Sequence, residues 1–308
     1  MPRVDLLTDI LRVLELRGTL YFQAEFRAPW GMDIAGGEFA NFHLVTAGRC
    51  WLRVGGETVE LGPGDVAMLP HGDRHALLHA PDGRPVPAPE VLAAERREAG
   101  GPVYGGGGPG TTLICGHFEL DRAGAHPLFA GLPALLRLEA AAGARAAWVA
   151  TATRLAAAES RASEPGSTAV VDRLAELLLI QLLRAALDAG SLPDSFLAAL
   201  ADPELQPSLE AIHANPAHPW TLESLSRAAC MSRSKFAERF RRATGLAPIQ
   251  YLTLWRMQRA RRRLQTFPEE SVISIAESVG YRSEFAFAKA FKRTFGQGPG
   301  AARRRALG

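Results

Sequence analysis

Residues 240–248 read FRRATGLAP, and residues 291–299, which begin 51 positions later, read FKRTFGQGP. Both fit the pattern F-[RK]-R-x-x-G-x-x-P, so one structural unit occurs twice in the last third of the chain. In each copy a short apolar helix is followed by a tight turn and a second helix. Ser232 and Ser283 stand where they can cap the second helices, which a pattern glycine can end in left-handed geometry. The repeat therefore predicts two helix-turn-helix units.

The segment that joins the two units, residues 248–264, reads PIQYLTLWRMQRARRRL. It has no helix breaker after its first residue, which predicts one long helix. A continuous helix would fix the separation of the two second helices. Such a separation suits successive faces of a major groove, which lie about one turn of DNA apart.

The charges of the chain are distributed unevenly. From Asp202 to Gly308 there are 18 Lys and Arg against 9 Asp and Glu, whereas the whole chain has 35 against 32. A strongly basic segment needs an acidic partner, and nucleic acid is the commonest one. The alternative interpretation of the charge alone is a solvated basic face.

The second helix of each unit separates an apolar face from a charged face. Phe236 and Phe240 in the first copy, and Phe287 and Phe291 in the second, recur every four residues and are assigned to the core. Cations on another face can hold a helix on phosphates while other side chains contact base edges. The candidate DNA-binding residues are Arg233, Ser234, Lys235, Glu238, Arg239, Ser283, Glu284, Phe285, Lys289 and Lys292.

The first two-thirds of the chain combines strands with helices. Short β-runs separated by Gly-rich turns fill residues 19–80, as in an antiparallel sandwich or barrel. Residues 81–110 are rich in Pro and Gly and predict a mobile insertion, and residues 127–195 are predicted to be helical. We therefore expect an N-terminal domain over residues 1–195 and a helical domain over residues 203–305.

Residues 64–75, GDVAMLPHGDRH, fit the pattern G-x5-P-x-G-x2-H. The pattern indicates a strand that rises to a corner made by Pro70 and Gly72. After this corner, His75 is expected to point its imidazole into the N-terminal domain. The stretch therefore marks one wall of a candidate site.

Three further polar side chains can face the same interior as His75. Alternation along the strands places His43 on one face of its strand and both Cys115 and His117 on one face of theirs. His43, His75 and Cys115 make a plausible soft N/S ligand set for zinc, and His117 can complete it. The alternative is that these four residues line an effector pocket without a metal.

Cysteine usage and the amino terminus predict the compartment. Three cysteines without paired spacing argue against a disulfide framework and favour a reducing environment. The amino terminus mixes Asp5, Asp9 and Glu15 into its apolar run, whereas a signal peptide needs an uncharged apolar core. No stretch reaches the roughly 18 consecutive apolar residues of a membrane span. The sequence thus predicts a cytoplasmic protein with no membrane partner.

Residues 167–190, STAVVDRLAELLLIQLLRAALDAG, are apolar over most of a helix circumference. One face can pack on the N-terminal domain, and the remaining apolar surface needs another partner. A homodimer would supply that partner. Burial between neighbours of the same chain is the alternative.

Residues 245–264, GLAPIQYLTLWRMQRARRRL, followed by ISIAESVGYRSEFAFAKAFKRTFGQGP at residues 273–299, resemble the DNA-binding domain of AraC-type transcription regulators. The resemblance covers residues 203–302. Cys230 departs from it, because such domains usually have a turn glycine there. By motif position, the resemblance implies these base-reading residues: Ser234, Ala237 and Glu238 in the first unit, and Glu284, Phe285, Ala288 and Lys289 in the second.

The stretch at residues 64–75 resembles the second motif of cupins, small β-barrels that often hold a metal. The first cupin motif supplies two further His and a Glu before a glycine. In the matching region, residues 38–48 read EFANFHLVTAG, with Asn41 at the Glu position and only His43 nearby. The two resemblances imply an α+β chain, with an N-terminal cupin-like β-barrel and flanking helices, then an all-α domain with two helix-turn-helix units.

These features together predict a transcriptional regulator. Its barrel would sense a small molecule, a metal or a redox signal, and its helix-turn-helix units would read double-stranded promoter DNA. RNA polymerase would be a further partner if the protein is an activator. The alternative is a cupin-type metalloenzyme with a basic helical appendage. The missing Glu and His ligands disfavour it, so we expect no enzymatic activity.

Overall fold

The computed structural model of the chain describes residues 5–14, 17–98, 101–119, 126–140, 146–162, 164–188, 192 and 195–307. Contacts between residues divide the chain into two compact units. The sheet-rich unit comprises Leu16–Leu120 and Leu132–Ala189. The helical unit comprises Met1–Glu15, Asp121–Gly131 and Gly190–Gly308.

Twelve strands, twelve α-helices and one 3₁₀-helical turn, Pro127–Phe129, are present in the described residues. The strands are β1 (Arg17–Arg27), β2 (Gly31–Ile34), β3 (Ala40–Ala47), β4 (Cys50–Val54), β5 (Glu57–Leu61), β6 (Val66–Leu69), β7 (His75–Leu78), β8 (Val86–Pro87), β9 (Arg96–Glu98), β10 (Gly101–Gly105), β11 (Gly110–Glu119) and β12 (Leu136–Leu138). The helices are α1 (Leu6–Leu14), α2 (Ala88–Ala93), α3 (Ala146–Ala162), α4 (Ser167–Asp188), α5 (Phe196–Ala201), α6 (Gln206–Ala214), α7 (Leu222–Ala228), α8 (Arg233–Thr244), α9 (Pro248–Thr266), α10 (Val272–Ser278), α11 (Glu284–Phe295) and α12 (Pro299–Leu307).

The strands form two sheets. The large sheet has seven strands in the order β12-β6-β3-β11-β1-β10-β9, and the small sheet has five in the order β5-β4-β7-β2-β8. The α+β class is confirmed, but the described strands form an open sandwich instead of a closed barrel. The large sheet ends at β12 and β9 and the small sheet at β5 and β8, and these edge strands do not pair with one another in the part of the chain that the structure describes.

The core of the sheet-rich unit lies between the two sheets. Its buried members are Ala24, Phe26, Trp30, Met32, Val45, Cys50, Leu52, Val54, Leu61, Ala67, Leu69, Leu77, Tyr104, Leu113 and Cys115. Helix α4 covers the outer face of the large sheet, where a Cβ added at Gly18 would lie 3.2 Å from the Cβ of Ala175. The other face of the large sheet, which carries its core residues, is turned toward the small sheet and is called the inner face below.

Two expectations about this unit are wrong. The Pro/Gly-rich stretch predicted to be a mobile insertion contains β8, α2, β9 and β10, and β10 pairs in parallel with β1. Within residues 127–195, which are predicted to be helical, Leu136–Leu138 instead forms β12 against β6. Strands β10 and β12 form their hydrogen bonds with β1 and β6, which lie far away in the sequence. Local composition does not reveal such pairing.

The stretch at residues 64–75 forms β6, a corner and the start of β7, as predicted. Gly72 has a φ of +71° at this corner. Asp65 fastens the far end, where it accepts hydrogen bonds from the amides of Gly62 (3.0 Å) and Ala140 (2.8 Å) and pairs with Arg137 (2.8 Å). The corner thus places His75 on the inner face at the start of β7, and the contacts of Asp65 hold the opposite end of β6 in position.

Helix ends in the helical unit follow the local sequence signals. The hydroxyls of Ser232 and Ser283 accept hydrogen bonds from the amides of Lys235 and Ala286 at the starts of α8 and α11. Both helices end at the predicted glycines, Gly245 and Gly296, each with a φ of +73°. Helix α9 is continuous over Pro248–Thr266. The two helix-turn-helix units and the long connecting helix are therefore confirmed.

The unit boundaries differ from the ranges 1–195 and 203–305 that the sequence predicts. Helix α1 contacts α6 and α9, and the turn Pro127–Phe129 contacts α5. Leu6 and Ile10 of α1 are buried in this packing. Three pieces of the first predicted range therefore belong by contact to the helical unit.

Within the described residues, no helix has both the length and the hydropathy needed to cross a bilayer.

Candidate functional site

Helices α8 and α11, here called the reading helices, each bury one aromatic face. Phe236 and Phe240 of α8 are fully buried, as are Phe287 and Phe291 of α11. The rings of each pair lie 5.5 and 5.6 Å apart, respectively, between centroids. These contacts fix which residues of each helix remain outside.

The predicted DNA-binding residues are almost all on that outer surface. Arg239 alone among them is half-buried, because it is ion-paired with Asp202 and Glu204. Ser283 is exposed but uses its hydroxyl to cap α11. The remaining residues are exposed side chains: Arg233, Ser234, Lys235, Glu238, Glu284, Phe285, Lys289 and Lys292.

The turns before the two reading helices have the same left-handed geometry. Cys230 has a φ of +52°, and Gly280 has a φ of +87° at the corresponding position. A Cβ at Gly280 would lie 2.6 Å from the carbonyl oxygen of Ala217, whereas Cys230 is exposed. The departure at Cys230 therefore leaves the turn intact.

A second candidate site is a hydrogen-bonded chain on the inner face of the sandwich. His75 Nδ1 lies 2.8 Å from the Asp73 carbonyl oxygen, so this nitrogen donates and His75 Nε2 is left to accept. His43 Nε2, 2.7 Å away, donates to it. His43 Nδ1 then accepts from the Cys115 thiol at 3.1 Å. The three predicted residues therefore form one hydrogen-bonded chain, in which Cys115 donates to His43, His43 donates to His75, and His75 donates to the Asp73 carbonyl. Both imidazole rings in this chain are neutral.

Burial keeps this chain uncharged. It lowers the pKa of His43 well below the usual range of histidine, and it lowers the pKa of His75 as well. Burial also raises the pKa of the Cys115 thiol, and raises the pKa of nearby Cys50 to about 12. Since the thiolate is the reactive form of cysteine, both thiols are held in an unreactive state.

The arrangement of the three residues does not fit zinc. A tetrahedral zinc needs ligand lone pairs that converge on one point. Here His43 contacts Cys115 through Nδ1 and His75 through Nε2, on opposite sides of its ring, so the three side chains do not converge on one point. In the part of the chain that the structure describes, no three His, Cys, Asp or Glu side chains are placed to hold a metal ion.

His117 lies apart from this chain. It pairs across the sheet with Asn41, and its ring lies between those of Phe39 and Tyr21, at centroid distances of 4.3 and 4.8 Å. Its Nδ1 is buried without a hydrogen-bond partner among the described residues. Tyr21 and Phe39 are exposed, and sequence reasoning missed both, because the motifs single out ligand-type side chains and not the aromatic residues beside them.

A third polar group, also missed, lies inside the helical unit. The amide of Leu128 donates to His126 Nδ1 at 3.1 Å, so the neutral ring donates through Nε2 to the Tyr251 hydroxyl at 3.1 Å. That hydroxyl donates to His213 Nε2 at 2.7 Å, and His213 Nδ1 donates to the Asp9 carboxylate at 2.8 Å. This chain fastens α1 and the turn Pro127–Phe129 to α6 and α9.

The comparisons with known proteins agree with this architecture. A family model described as Cupin matches residues 5–188, and one described as a helix-turn-helix domain matches residues 225–305. An AraC-like transcription regulator of Streptomyces lividans is 33% identical over 302 residues, which cover 96% of this chain and 97% of that protein. The transcriptional regulator AlkR of Acinetobacter baylyi is 29% identical over 96% of this chain and 98% of its own length. RclR of Escherichia coli, an RCS-specific transcriptional activator, is 30% identical over 98% of both chains.

Two capped reading helices on one continuous connecting helix define a DNA-binding protein of the tandem helix-turn-helix class. With a cupin domain before them, and with relatives that match along nearly the whole length, the chain belongs to the AraC family of transcriptional regulators. The relatives are regulators, so the alternative of a cupin-type metalloenzyme is set aside.

Proposed function

We propose that this regulator controls transcription from promoter DNA in response to a small-molecule effector that its sheet-rich unit binds. The two reading helices contact successive major grooves, and the side chains at their exposed first turns contact base edges. Because its target is DNA and its relatives are regulators of bacteria, we expect it to act in the cytoplasm.

The observation that carries the DNA-reading part is the exposure of Phe285. This side chain is 80% exposed in the first turn of α11, although phenylalanine is among the residues that are most often buried. An apolar ring at this position can contact the methyl group of thymine. Lys289 and Lys292 follow at helical spacing and can hold the same face on phosphates.

Phe285→Ala should weaken binding to a specific duplex by about tenfold and leave affinity for random DNA nearly unchanged, because the ring carries no charge. Lys289→Ala should weaken binding to both duplexes and lower the slope of log affinity against log salt by about 1. The specific duplex is selected with the full chain from a randomised library. Both affinities are then measured by fluorescence anisotropy.

Phe267→Ala is the matched control. Phe267 is also an exposed phenylalanine, at 56%, but it follows the end of α9 and lies outside both reading helices. Its variant should bind both duplexes like the parent chain. Equal losses on specific and random DNA for Phe285→Ala would contradict base reading by α11.

The effector part of the proposal is supported by the inner face of the sandwich. His43, His75 and Cys115 place imidazole and thiol groups on the inner face, where a ligand with its own donors and acceptors can replace their mutual hydrogen bonds. His117, two residues along β11 from Cys115, adds a buried Nδ1 that has no hydrogen-bond partner among the described residues. The poor fit to zinc and the protonated thiols favour an organic effector over a metal or redox signal. Such a ligand changes DNA binding only if it binds two arrangements of the protein with different free energies.

Activation is the output that we propose. The relative RclR is named a transcriptional activator, and it matches this chain over nearly the full length of both. An activator raises transcription by engaging the transcription machinery, so RNA polymerase is the expected protein partner.

We also propose a homodimer formed through α3 and α4. Val170 and Leu177 of α4 are 42% and 44% exposed, and Trp148 and Leu155 of α3 are 38% and 52% exposed. Each pair is spaced by seven residues, as in an apolar seam between helices. The other face of α4 is occupied by β1 and β12, so this outer face is the one available to a second copy.

Leu177→Glu should convert the dimer to a monomer, because a charge would have to be buried in the apolar seam. Sedimentation velocity of the full chain measures the change. Thr168→Glu, at an exposed position in the first turn of the same helix and outside the seam of Val170 and Leu177, is the control and should remain dimeric. A parent chain that sediments as a monomer, or a Leu177→Glu variant that sediments as a dimer, would reject the interface.

A further inference from the structure

Two cations of the first reading helix face carboxylates of the same unit. Arg239 Nε and Nη2 lie 3.1 and 2.8 Å from Asp202 Oδ2, and Arg239 Nη1 lies 2.5 Å from Glu204 Oε2. Lys235, one turn earlier on α8, lies 3.7 Å from Glu204 Oε1. Asp202 and Glu204 belong to the short connection between α5 and α6, and together they are called the acidic clamp below.

The acidic clamp is held in place by its own backbone. Asp202 Oδ1 accepts the amide of Glu204 at 2.9 Å, and the Asp202 carbonyl accepts the amides of Leu205 (3.1 Å) and Gln206 (2.8 Å). The Asp202 side chain is only 18% exposed, whereas Glu204 is 45% exposed. One carboxylate is thus fixed and the other stands at the surface.

The acidic clamp accepts hydrogen bonds from the same N–H groups of Arg239 that would bind a DNA phosphate. A guanidinium binds phosphate and carboxylate oxygens through the same planar fork of N–H groups. While Nε, Nη1 and Nη2 of Arg239 point at Asp202 and Glu204, they are not available to a phosphate. Exposed ion pairs contribute little to stability, and both Lys235 and Glu204 are largely in solvent, so the pairing can open at small cost.

The second reading helix has no equivalent of this arrangement. The offset of 51 residues that relates the two copies places Ala286 opposite Lys235 and Ala290 opposite Arg239. Alanine carries no charge to be paired or released. Electrostatic control through these positions is therefore confined to the first helix-turn-helix unit.

We propose that Asp202 and Glu204 are affinity-setting residues that compete with DNA phosphates for Arg239 and Lys235. The competition lowers the affinity of α8 for the phosphates of any duplex. Stable binding therefore depends on sequence-specific contacts by both reading helices. The inference rests on the DNA-binding role proposed above. It assigns to two acidic residues outside the reading helices a direct effect on DNA affinity.

The test is Glu204→Gln in the full chain. Neutralising this exposed carboxylate frees Lys235 and one arm of Arg239 while leaving Asp202 in place. Affinity for both the selected duplex and random DNA should rise by about tenfold at low salt, and the slope of log affinity against log salt should steepen by about 1. Both duplexes gain because phosphates carry no sequence information.

A double variant shows whether the gain passes through the clamped cation. Adding Arg239→Ala to Glu204→Gln should remove most of the gain and of the added salt dependence. Glu60→Gln is the matched control, since it removes a carboxylate of the same 45% exposure that pairs with an arginine, Arg49, in the sheet-rich unit. It makes the same change in net charge without touching α8, and it should leave DNA affinity at the parent value.

Three results would overturn the proposal. The first is an unchanged or weaker affinity of Glu204→Gln with an unchanged unfolding midpoint, which would make the clamp a support that positions α8. The second is a gain that survives Arg239→Ala. The third is an equal gain in Glu60→Gln, which would reflect net charge alone. A parent chain that binds no duplex would instead reject the proposed DNA-binding role itself.

Discussion

Gly72→Ala should lower the free energy of unfolding of the sheet-rich unit by about 3 kcal/mol. Gly72 has a φ of +71°, which is unfavourable for any residue with a Cβ. The added methyl would also overlap the carbonyl oxygen of Gly37 and lie 2.7 Å from that of Phe39. Both obstacles are backbone atoms, so relief requires movement of the corner that delivers His75. Urea dependence of hydrogen exchange in β6 and β7 measures the loss in this unit separately.

Gly55→Ala separates the two causes of that loss. Gly55 also has a positive φ, +58°, but a Cβ there meets nothing within 4 Å. Its replacement should cost only the backbone strain, about 1 kcal/mol. If the Gly72 and Gly55 variants lost the same free energy, the close approach of Gly37 and Phe39 would not be a constraint on the corner.

Tyr251→Phe should lower the free energy of unfolding of the helical unit by about 2 kcal/mol. The change removes one hydroxyl and leaves two buried groups, the Nε2–H of His126 and the Nε2 acceptor of His213, without their partner. Burial lowers the pKa of both histidines, so neither ring regains solvation by ionising near neutral pH. Because His213 in turn holds Asp9, hydrogen exchange of the amides of α1 should also accelerate.

Tyr281→Phe is the matched control for this loss. Tyr281 also lies in the helical unit, and its ring packs edge-on against Phe287 at 5.8 Å between centroids. Its hydroxyl is not part of the chain that holds α1. The variant should change stability by less than about 0.5 kcal/mol and leave exchange in α1 unchanged. Equal effects of the two substitutions would show that the chain through Tyr251 has no special role.

The helix-turn-helix units could be predicted in detail because their signals are local. Ser232 and Ser283 cap the helices that follow them, and Gly245 and Gly296 end those helices, each through contacts within one turn. Exposure of nearly all the predicted DNA-binding residues follows from the same periodicity. The exception is Arg239, which pairs with Asp202 and Glu204. These partners lie 37 and 35 positions earlier in the chain, and the periodicity of α8 carries no information about them.

The sandwich could be predicted only in part. Alternation along β3 and β11 predicts that His43 and Cys115 point to the inner face, and the corner at Gly72 predicts the same of His75, so that the three side chains are expected to meet. Alternation does not specify which ring nitrogen faces which partner. The structure shows a neutral, directional hydrogen-bonded chain where the sequence allowed a zinc site, because proton positions depend on contacts such as that of His75 with the Asp73 carbonyl.

The acidic pair before α6 shows how a local signal can hide a distant one. Asp202 and Glu204 stand just before a helix, where carboxylates commonly interact with free amides, and Asp202 does accept the amide of Glu204. That local role accounts for their positions in the sequence. Their pairing with Arg239 and Lys235 appears only once α5 packs against α8.

The sequence by itself determined the two helix-turn-helix units, their connecting helix and the inward-facing histidines, because caps, turn glycines and side-chain periodicity act over a few residues. Only the tertiary structure decided that the sheets stay open, that α1 belongs to the helical unit and that buried polar groups form two directional chains. Asp9 and His213 are 204 positions apart, yet they share a hydrogen bond of 2.8 Å. Hydrogen bonds and ion pairs depend on distance and direction in space, and no local pattern encodes either across so long a separation.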